Sequence, residues 1–185
     1  PQSVTWGKCK LATASFGHGI NTNLLQLTKA YAIISNGGNY IKPTLIKKKF
    51  DFNQKKIISD ETSQKINSIL RKIVLTGTAK LANVEGYEIG GKTGTANKTI
   101  KGIYTNKKIN TFASVFPTSN PKYVFTILFD EPQINKDYVY EYRDGSEFKL
   151  KGAPRNTAGW TSVEVAGKII DKIGPILATK YIKAN

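Results

Sequence analysis

The chain has 185 residues, 39% hydrophobic and 22% charged, which is an ordinary composition for one globular domain with its own core. It contains no apolar run long enough to cross a bilayer, and Cys9, the only cysteine, excludes an intrachain disulfide. The net charge is +15, but most of the positive charge is scattered lysine, and Arg71, Arg143 and Arg155 are the only arginines. Because specific nucleic-acid recognition favours the arginine fork, we expect no nucleic-acid partner, and only nonspecific attraction to anionic surfaces remains plausible.

The first half of the chain predicts two helices separated by an extended, lysine-rich segment. Apolar residues recur at helical spacing in both helices, residues suited to capping precede them, and glycines follow them. The predicted elements are, in order, a loop over residues 1–19, a helix from Asn21 or Thr22 to Gly37, a two-stranded segment over residues 40–58, and a helix from Ser59 or Asp60 to Gly77.

The second half predicts a sheet followed by a helix. Two nearly continuous apolar segments joined by a proline-containing loop are expected near the centre of a sheet that is covered on both faces. The predicted elements are, in order, a strand over residues 87–96, a polar, mobile loop over 98–110, strands over 111–116 and 123–129, an irregular segment over 131–158, and a helix that starts with a capping box at Thr161–Glu164 and is kinked or broken at Gly174-Pro175. This order predicts an α+β fold in which helices flank an antiparallel sheet.

The run Gly91-Lys92-Thr93-Gly94-Thr95 carries the predicted chemistry. A strand edge offers backbone groups to an extended peptide, and Gly91 and Gly94 are expected to let a ligand approach closely. Thr93 and Thr95 share one face by strand alternation, so both hydroxyls can donate to a carboxylate, while Lys92 favours nearby anions and helps to move a hydroxyl proton. A lone Lys-Thr-Gly is a weak pattern, and the alternative is a glycine-rich strand with a solvated lysine. The local repeat Thr76-Gly77-Thr78-Ala79, taken alone, reads as a helix cap and a chance echo.

Further segments turn this weak pattern into a specific one. They are Ala14-Ser15-Phe16-Gly17-His18-Gly19-Ile20, Leu25-Gln26-Leu27, Tyr31-Ala32 with Asn36-Gly37-Gly38, Thr76-Gly77-Thr78-Ala79, Phe129-Asp130-Glu131-Pro132 and Ala158-Gly159-Trp160-Thr161. Through most of its length the chain therefore resembles class B penicillin-binding proteins, particularly the septal cell-division type. The expected fold is the C-terminal half of the transpeptidase fold shared with serine β-lactamases.

The resemblance implies a role for each residue of the central motif. Lys92 and Thr95 would be catalytic, with Lys92 acting on a serine of another motif and the Thr95 backbone N–H forming half of an oxyanion hole. Thr93, Gly94 and Thr95 would bind the substrate or a β-lactam, with the hydroxyls of the two threonines holding its carboxylate. His18 is interpreted as structural. The resemblance implies no metal or organic cofactor; the implied partners are peptidoglycan stem peptides, β-lactams and other cell-division proteins. The implied location is the periplasmic face of the inner membrane, reached through an anchor outside this chain.

The chain also departs from the family pattern. No S-x-N motif occurs, and the two S-x-x-K matches, at Ser119 and Ser146, follow the Lys-Thr-Gly instead of preceding it. We therefore expect residues 1–185 to be the C-terminal part of one transpeptidase domain, without its nucleophile and inactive alone; the absence of methionine agrees with a fragment. A D,D-carboxypeptidase, a β-lactamase-like enzyme and a non-catalytic β-lactam sensor remain alternatives. Residues 136–155 resemble an insertion of unassigned function.

Overall fold

The computed structural model describes residues 9–15, 17, 20–46, 55–101 and 103–182. His18 and the Lys47-Lys48-Lys49 run lie outside this part of the chain. The helices are α1 (Lys10–Ala14), α2 (Leu24–Ser35), α3 (Asp60–Thr76) and α4 (Ser162–Ile182). The strands are β1 (Gly90–Ile100), β2 (Ile103–Phe116), β3 (Tyr123–Asp130), β4 (Val139–Glu141) and β5 (Lys149–Lys151). Two short 3₁₀ turns, Lys80–Ala82 and Ala158–Trp160, complete the architecture.

The main sheet is antiparallel and has the order β1-β2-β3. The central strand β2 is almost fully buried from Asn110 to Phe116, as its continuous apolar sequence predicts. The same prediction is wrong for β3, which lies at the edge of this sheet with residues that are half-buried or exposed. A second, two-stranded sheet pairs β4 with β5.

The predicted mobile loop over residues 98–110 is instead a continuation of the first two strands. The β1–β2 ladder extends outward as a two-stranded ribbon to the pair Ile100–Ile103, with an irregularity in register between Asn97 and Thr99. At the base of this ribbon the Lys98 ammonium lies 2.8 Å from carboxylate oxygens of Asp130 and Glu131. The many lysines and asparagines suggested a loop, but in the ribbon their side chains are solvated or paired while the backbone completes its ladder.

Local capping signals set the starts of α2 and α3. The Asn23 side chain accepts from the Gln26 backbone N–H at 2.8 Å, and the Gln26 side chain reaches back to complete a capping box. The Ser59 hydroxyl accepts from the Thr62 N–H at 3.1 Å, and α3 ends before Gly77 as predicted.

Helix α4 differs from its prediction both at the expected capping box and at Gly174-Pro175, where a kink or break is expected. Glu164 does not serve as a capping residue but is buried against Arg143. Pro175 lies inside the helix, which continues to Ile182. Gly174 faces the ring of Tyr87 so closely that an added Cβ would clash, and Leu177 beyond it packs on the core. Tertiary packing therefore holds the helix together across a residue that lacks a backbone donor.

Three further segments differ from their predictions. Lys10–Ala14 forms a short helix inside the predicted N-terminal loop. The two-stranded segment expected over residues 40–58 is reduced, in its described part, to one bridge between Asn39 and Lys56. The segment expected to be irregular over residues 131–158 contains the β4–β5 pair.

The core lies between the sheet, α3, α4 and the first 3₁₀ turn. Phe112 on β2 and Ile170 on α4 are completely buried in it. Its members are Val74, Ala79, Leu81, Ala82, Val84, Ile89, Phe112, Phe116, Tyr140, Val163, Ala166 and Ile170. This packing fixes the position of β1 relative to the 3₁₀ turns, and these elements build the candidate site.

Candidate active site

The Lys-Thr-Gly-Thr run lies on an outer strand, as predicted. Lys92, Thr93, Gly94 and Thr95 pair with residues 110–113 of β2. No other strand of the described residues pairs with the opposite edge of β1. That edge can therefore receive an extended peptide by backbone hydrogen bonding.

Gly91 and Gly94 are required by the internal packing of the sheet, and their expected role in the approach of a ligand stays a prediction. A Cβ on Gly91 would lie 2.6 Å from the Phe112 ring, and one on Gly94 would clash with the Thr111 hydroxyl. The Thr111 hydroxyl also donates to the Gly94 carbonyl at 3.3 Å. Their absence of side chains thus lets β1 lie against β2.

Thr93 and Thr95 line one open cavity of about 520 Å³. Their shared face follows from strand alternation, which confirms that part of the prediction. The lining residues are Gly77, Thr78, Lys80, Leu81, Thr93, Thr95, Tyr142, Pro154, Arg155, Thr157, Gly159 and Trp160.

Thr78 lines the cavity together with the two predicted threonines and contacts one of them. Its Oγ1 lies 3.0 Å from Oγ1 of Thr93, and either hydroxyl can be the donor. Since one hydrogen bond between two hydroxyls uses one proton, the other proton remains available to a ligand. The local echo at Thr76–Ala79 is the sequence feature that contains this residue; Gly77 within it is the C-cap of α3, as predicted.

Thr95 is positioned by the second 3₁₀ turn. Its Oγ1 accepts a hydrogen bond from the Ala158 backbone N–H at 3.0 Å, which leaves its own proton free to donate. The cavity therefore presents two hydroxyl protons, one from Thr95 and one from the Thr78–Thr93 pair. Hydrogen bonds to a charged acceptor contribute about 1.5–3 kcal/mol each, so this arrangement can hold a carboxylate.

Comparison with known proteins agrees with this geometry. Residues 2–147 match the model of the penicillin binding protein transpeptidase domain. The chain belongs to the penicillin-binding protein transpeptidase family. Its α+β fold, predicted from the order of its elements, is thereby confirmed.

Several relatives of this family are similar over most of the chain. A probable peptidoglycan D,D-transpeptidase PenA of Neisseria flavescens is 33% identical over 135 residues, covering 72% of this chain and 34% of that protein. A probable peptidoglycan D,D-transpeptidase FtsI of Caulobacter vibrioides is 31% identical over 188 residues, covering 95% of this chain and 29% of that protein. The chain spans about a third of the length of these curated relatives.

Solved structures show the same fold. The transpeptidase domain of Burkholderia pseudomallei penicillin-binding protein 3 matches with a TM-score of 0.71 at 27% identity, covering 92% of this chain and 47% of that chain. Penicillin-binding protein 3 of a Mycobacterium species matches with a TM-score of 0.72, covering 94% of this chain and 40% of that chain.

Lys92 of the Lys-Thr-Gly motif does not line the cavity. It occupies the face of β1 opposite Thr93 and Thr95, where its exposed ammonium donates to the Thr93 carbonyl oxygen at 2.8 Å. The structure thus brings Thr93 and Thr95 together with Thr78 but not with Lys92. The catalytic roles of Lys92 and of the Thr95 N–H stay predictions.

One wall of the cavity comes from residues 136–155, the segment to which sequence analysis assigned no function. Tyr142 follows β4, and Pro154 and Arg155 follow β5 in the connection to the second 3₁₀ turn. Nothing in the local sequence of residues 136–155 indicates this, because the segment reaches the cavity only through long-range contacts.

Arg143 anchors this wall. Its guanidinium makes two hydrogen bonds to the Glu164 carboxylate, at 3.0 and 2.8 Å, and Nη1 also donates to the Leu81 carbonyl at 2.8 Å. Burial opposes the positive charge on Arg143, yet the hydrogen bond and the charge of Glu164 raise its pKa above the usual value. Tyr138 donates to the same carboxylate at 2.8 Å, and burial raises the pKa of its hydroxyl. One network therefore connects the β4–β5 wall, the first 3₁₀ turn and α4.

A buried amide fixes the other end of the wall. Asn110 of β2 is fully buried and donates to Thr161 Oγ1 at 2.9 Å and to Asn156 Oδ1 at 3.1 Å. Asn156 donates in turn to the Pro132 carbonyl at 2.7 Å. The Asp-Glu-Pro and Gly-Trp-Thr segments of the family pattern are thus connected through these side chains.

The two serines of the S-x-x-K matches do not line the cavity. Ser119 lies in the β2–β3 loop and its hydroxyl donates to the Glu88 carboxylate. This hydrogen bond lowers the pKa of the Glu88 carboxyl. The Ser146 hydroxyl donates to Asp144 at 2.6 Å in the β4–β5 loop. Their placement agrees with the interpretation of both matches as coincidental.

Acidic, histidine and cysteine side chains form no cluster suited to a metal ion within the part of the chain that the structure describes. Among the same residues, no helix is both long and apolar enough to span a bilayer.

Proposed function

We propose that this chain is the C-terminal part of the transpeptidase domain of a peptidoglycan D,D-transpeptidase of the septal type. The names of the PenA and FtsI relatives support the activity and the septal assignment. That the chain matches 47% of a solved transpeptidase domain supports its being one part of such a domain. The nucleophilic serine belongs to residues outside this chain, since no S-x-N motif and no suitably placed S-x-x-K occur in it.

In the proposed reaction a donor peptide lies along the open edge of β1. Thr93 and Thr95 donate their hydroxyl protons to its terminal carboxylate, and the Thr95 N–H stabilises the oxyanion. The serine oxygen bonds to the penultimate carbonyl carbon, the C–N bond breaks, and D-alanine leaves with a proton. The amine of a second stem peptide then attacks the acyl-enzyme, which forms the cross-link and restores the serine hydroxyl. Lys92 assists the serine of the S-x-N motif in moving protons.

The observation that carries this proposal is the pair of hydroxyl donors on an open-edged strand. The test is the rate at which a fluorescent penicillin acylates the full-length protein with Thr95→Val. Loss of one hydrogen bond to a carboxylate is expected to lower the acylation rate constant by roughly 10- to 100-fold. Thr95→Ser keeps the hydroxyl and should stay near wild type.

Thr99→Val is a matched control on the same strand, because Thr99 is exposed and does not line the cavity. Thr93→Val is a second test that leaves the Ala158 N–H paired. Wild-type acylation rates in both valine variants would contradict the proposed carboxylate site.

The proposal also includes the cellular setting. The protein acts on the periplasmic face of the inner membrane, held by an anchor outside this chain, together with other cell-division proteins. The chain by itself is expected to form no covalent adduct with fluorescent penicillin after denaturing electrophoresis. Release of D-alanine by water from the full-length protein, without cross-linking to an added amine, would favour a carboxypeptidase instead.

A further inference from the structure

The charged residues that line the cavity are of one sign. Lys80 follows Thr78 in the first 3₁₀ turn, and Arg155 lies in the connection after β5; both are cations, and no acidic residue lines the cavity with them. Both side chains are exposed, and neither has a hydrogen bond or ion pair with any other described residue. Other cations of the chain, such as Lys98 and Arg143, are paired with carboxylates.

The backbone that carries each cation is held in place. The Arg143 guanidinium donates to the carbonyl of Leu81, the residue after Lys80. Arg155 precedes Asn156, whose side chain bonds both to Asn110 and to the Pro132 carbonyl. The two charges are therefore presented from fixed backbone on the 3₁₀ turn and the wall that border the threonine hydroxyls.

Asp144, the carboxylate that interacts electrostatically with Lys80, is already hydrogen-bonded to another residue. Asp144 accepts hydrogen bonds from the hydroxyl and the backbone N–H of Ser146, at 2.6 and 3.0 Å. Those bonds, with a contribution from Lys80, lower the pKa of Asp144. Asp144 forms no ion pair with Lys80 and does not line the cavity, so the two cations remain open to a ligand.

We propose that Lys80 and Arg155 select acyl-donor peptides that carry a second carboxylate in addition to the terminal one. This inference rests on the proposed transpeptidase function and names the substrate class of the same cavity. The terminal carboxylate is taken by Thr93 and Thr95, so a donor with an acidic side chain places a further negative charge against the two cations. Attraction between exposed charges of this kind is modest and is screened by salt.

The test compares two donor peptides that end in D-Ala-D-Ala and differ only in one side chain, a carboxylate or its neutral amide. The full-length wild-type protein should show a kcat/KM for D-alanine release about three- to tenfold higher for the acidic peptide. This ratio should fall toward one in the Lys80→Gln/Arg155→Gln double variant and also as the salt concentration is raised. Lys72→Gln is the matched control, because Lys72 is an exposed lysine of α3 that does not line the cavity.

A charge-reversed Lys80→Glu/Arg155→Glu variant should favour a peptide with a lysine at the varied position. Equal kcat/KM for the two peptides in the wild type at low salt would overturn this inference, and that measurement depends on no variant being folded. Failure of the proposed function would appear separately, as wild-type protein that fluorescent penicillin does not acylate.

Discussion

Breaking the buried ion pair between Arg143 and Glu164 is expected to destabilise the fold strongly. Their side chains are only 12% and 4% exposed, and two hydrogen bonds join them. Glu164→Gln leaves the guanidinium without a countercharge, and Arg143→Met leaves the carboxylate without one. Each single change should lower the free energy of unfolding by about 3–5 kcal/mol, because the remaining buried charge has lost its compensation.

The assay is urea unfolding of the full-length protein in a Trp6→Phe background, which removes the other tryptophan of this chain, followed by the fluorescence of Trp160. This residue is a suitable reporter because its ring packs against Tyr140 with centroids 5.1 Å apart. The double variant Arg143→Met/Glu164→Gln should cost clearly less than the sum of the single changes, since it removes both charges together.

Glu61→Gln is the matched control for the loss of an ion pair. Its partner Lys65 lies 2.7 Å away, but both side chains are more than 70% exposed, so the change should cost less than about 0.5 kcal/mol. If Glu164→Gln cost no more than this control, or if the two buried changes were simply additive, the network would not hold the wall in place.

Two further predictions concern the ribbon and the second 3₁₀ turn. Hydrogen bonds from Lys98 and Lys107 lower the pKa of Glu131 below its ordinary value of 4.5. The ionised carboxylate therefore stabilises the fold at pH values above 4.5, and this stabilisation is lost as the pH falls through the lowered pKa of the folded state. Glu131→Gln should therefore lower the urea midpoint at pH 7 but not well below pH 4.5, and a pH-independent difference would contradict this. A Cβ on Gly159 would lie 2.8 Å from the Thr78 carbonyl oxygen, so Gly159→Ala should shift Thr78 and slow penicillin acylation several-fold. Unchanged acylation in a folded Gly159→Ala variant would show that the position of Thr78 does not matter.

The parts of the fold that local signals specify were predicted well from the sequence. Residues Asn23 and Ser59 cap helices within a few positions of their expected starts, and apolar continuity identified β2. The ribbon beyond residue 97 was missed because its stability comes from cross-strand pairing and the Lys98 ion pairs, which composition does not reveal. Pro175 suggested an interruption because tertiary packing of α4 cannot be read from the helix alone.

The candidate site was predicted only in part for the same reason. Strand alternation was enough to place Thr93 and Thr95 on one face, because it is a property of the strand itself. Thr78, Tyr142 and Arg155 come from distant segments, and only the folded chain brings them to the cavity. Glu164 fitted a capping pattern at Thr161–Glu164, yet burial beside Arg143 determined its actual role.

The tight seating of Gly91 and Gly94 against Phe112 and Thr111 limits how such a protein can evolve. Any larger residue at either glycine would force apart two strands of the core, so both positions should stay glycine among relatives of this chain. Sequence variation should instead accumulate in the cavity wall around Tyr142, where replacements alter the rim of the cavity and leave the sheet intact.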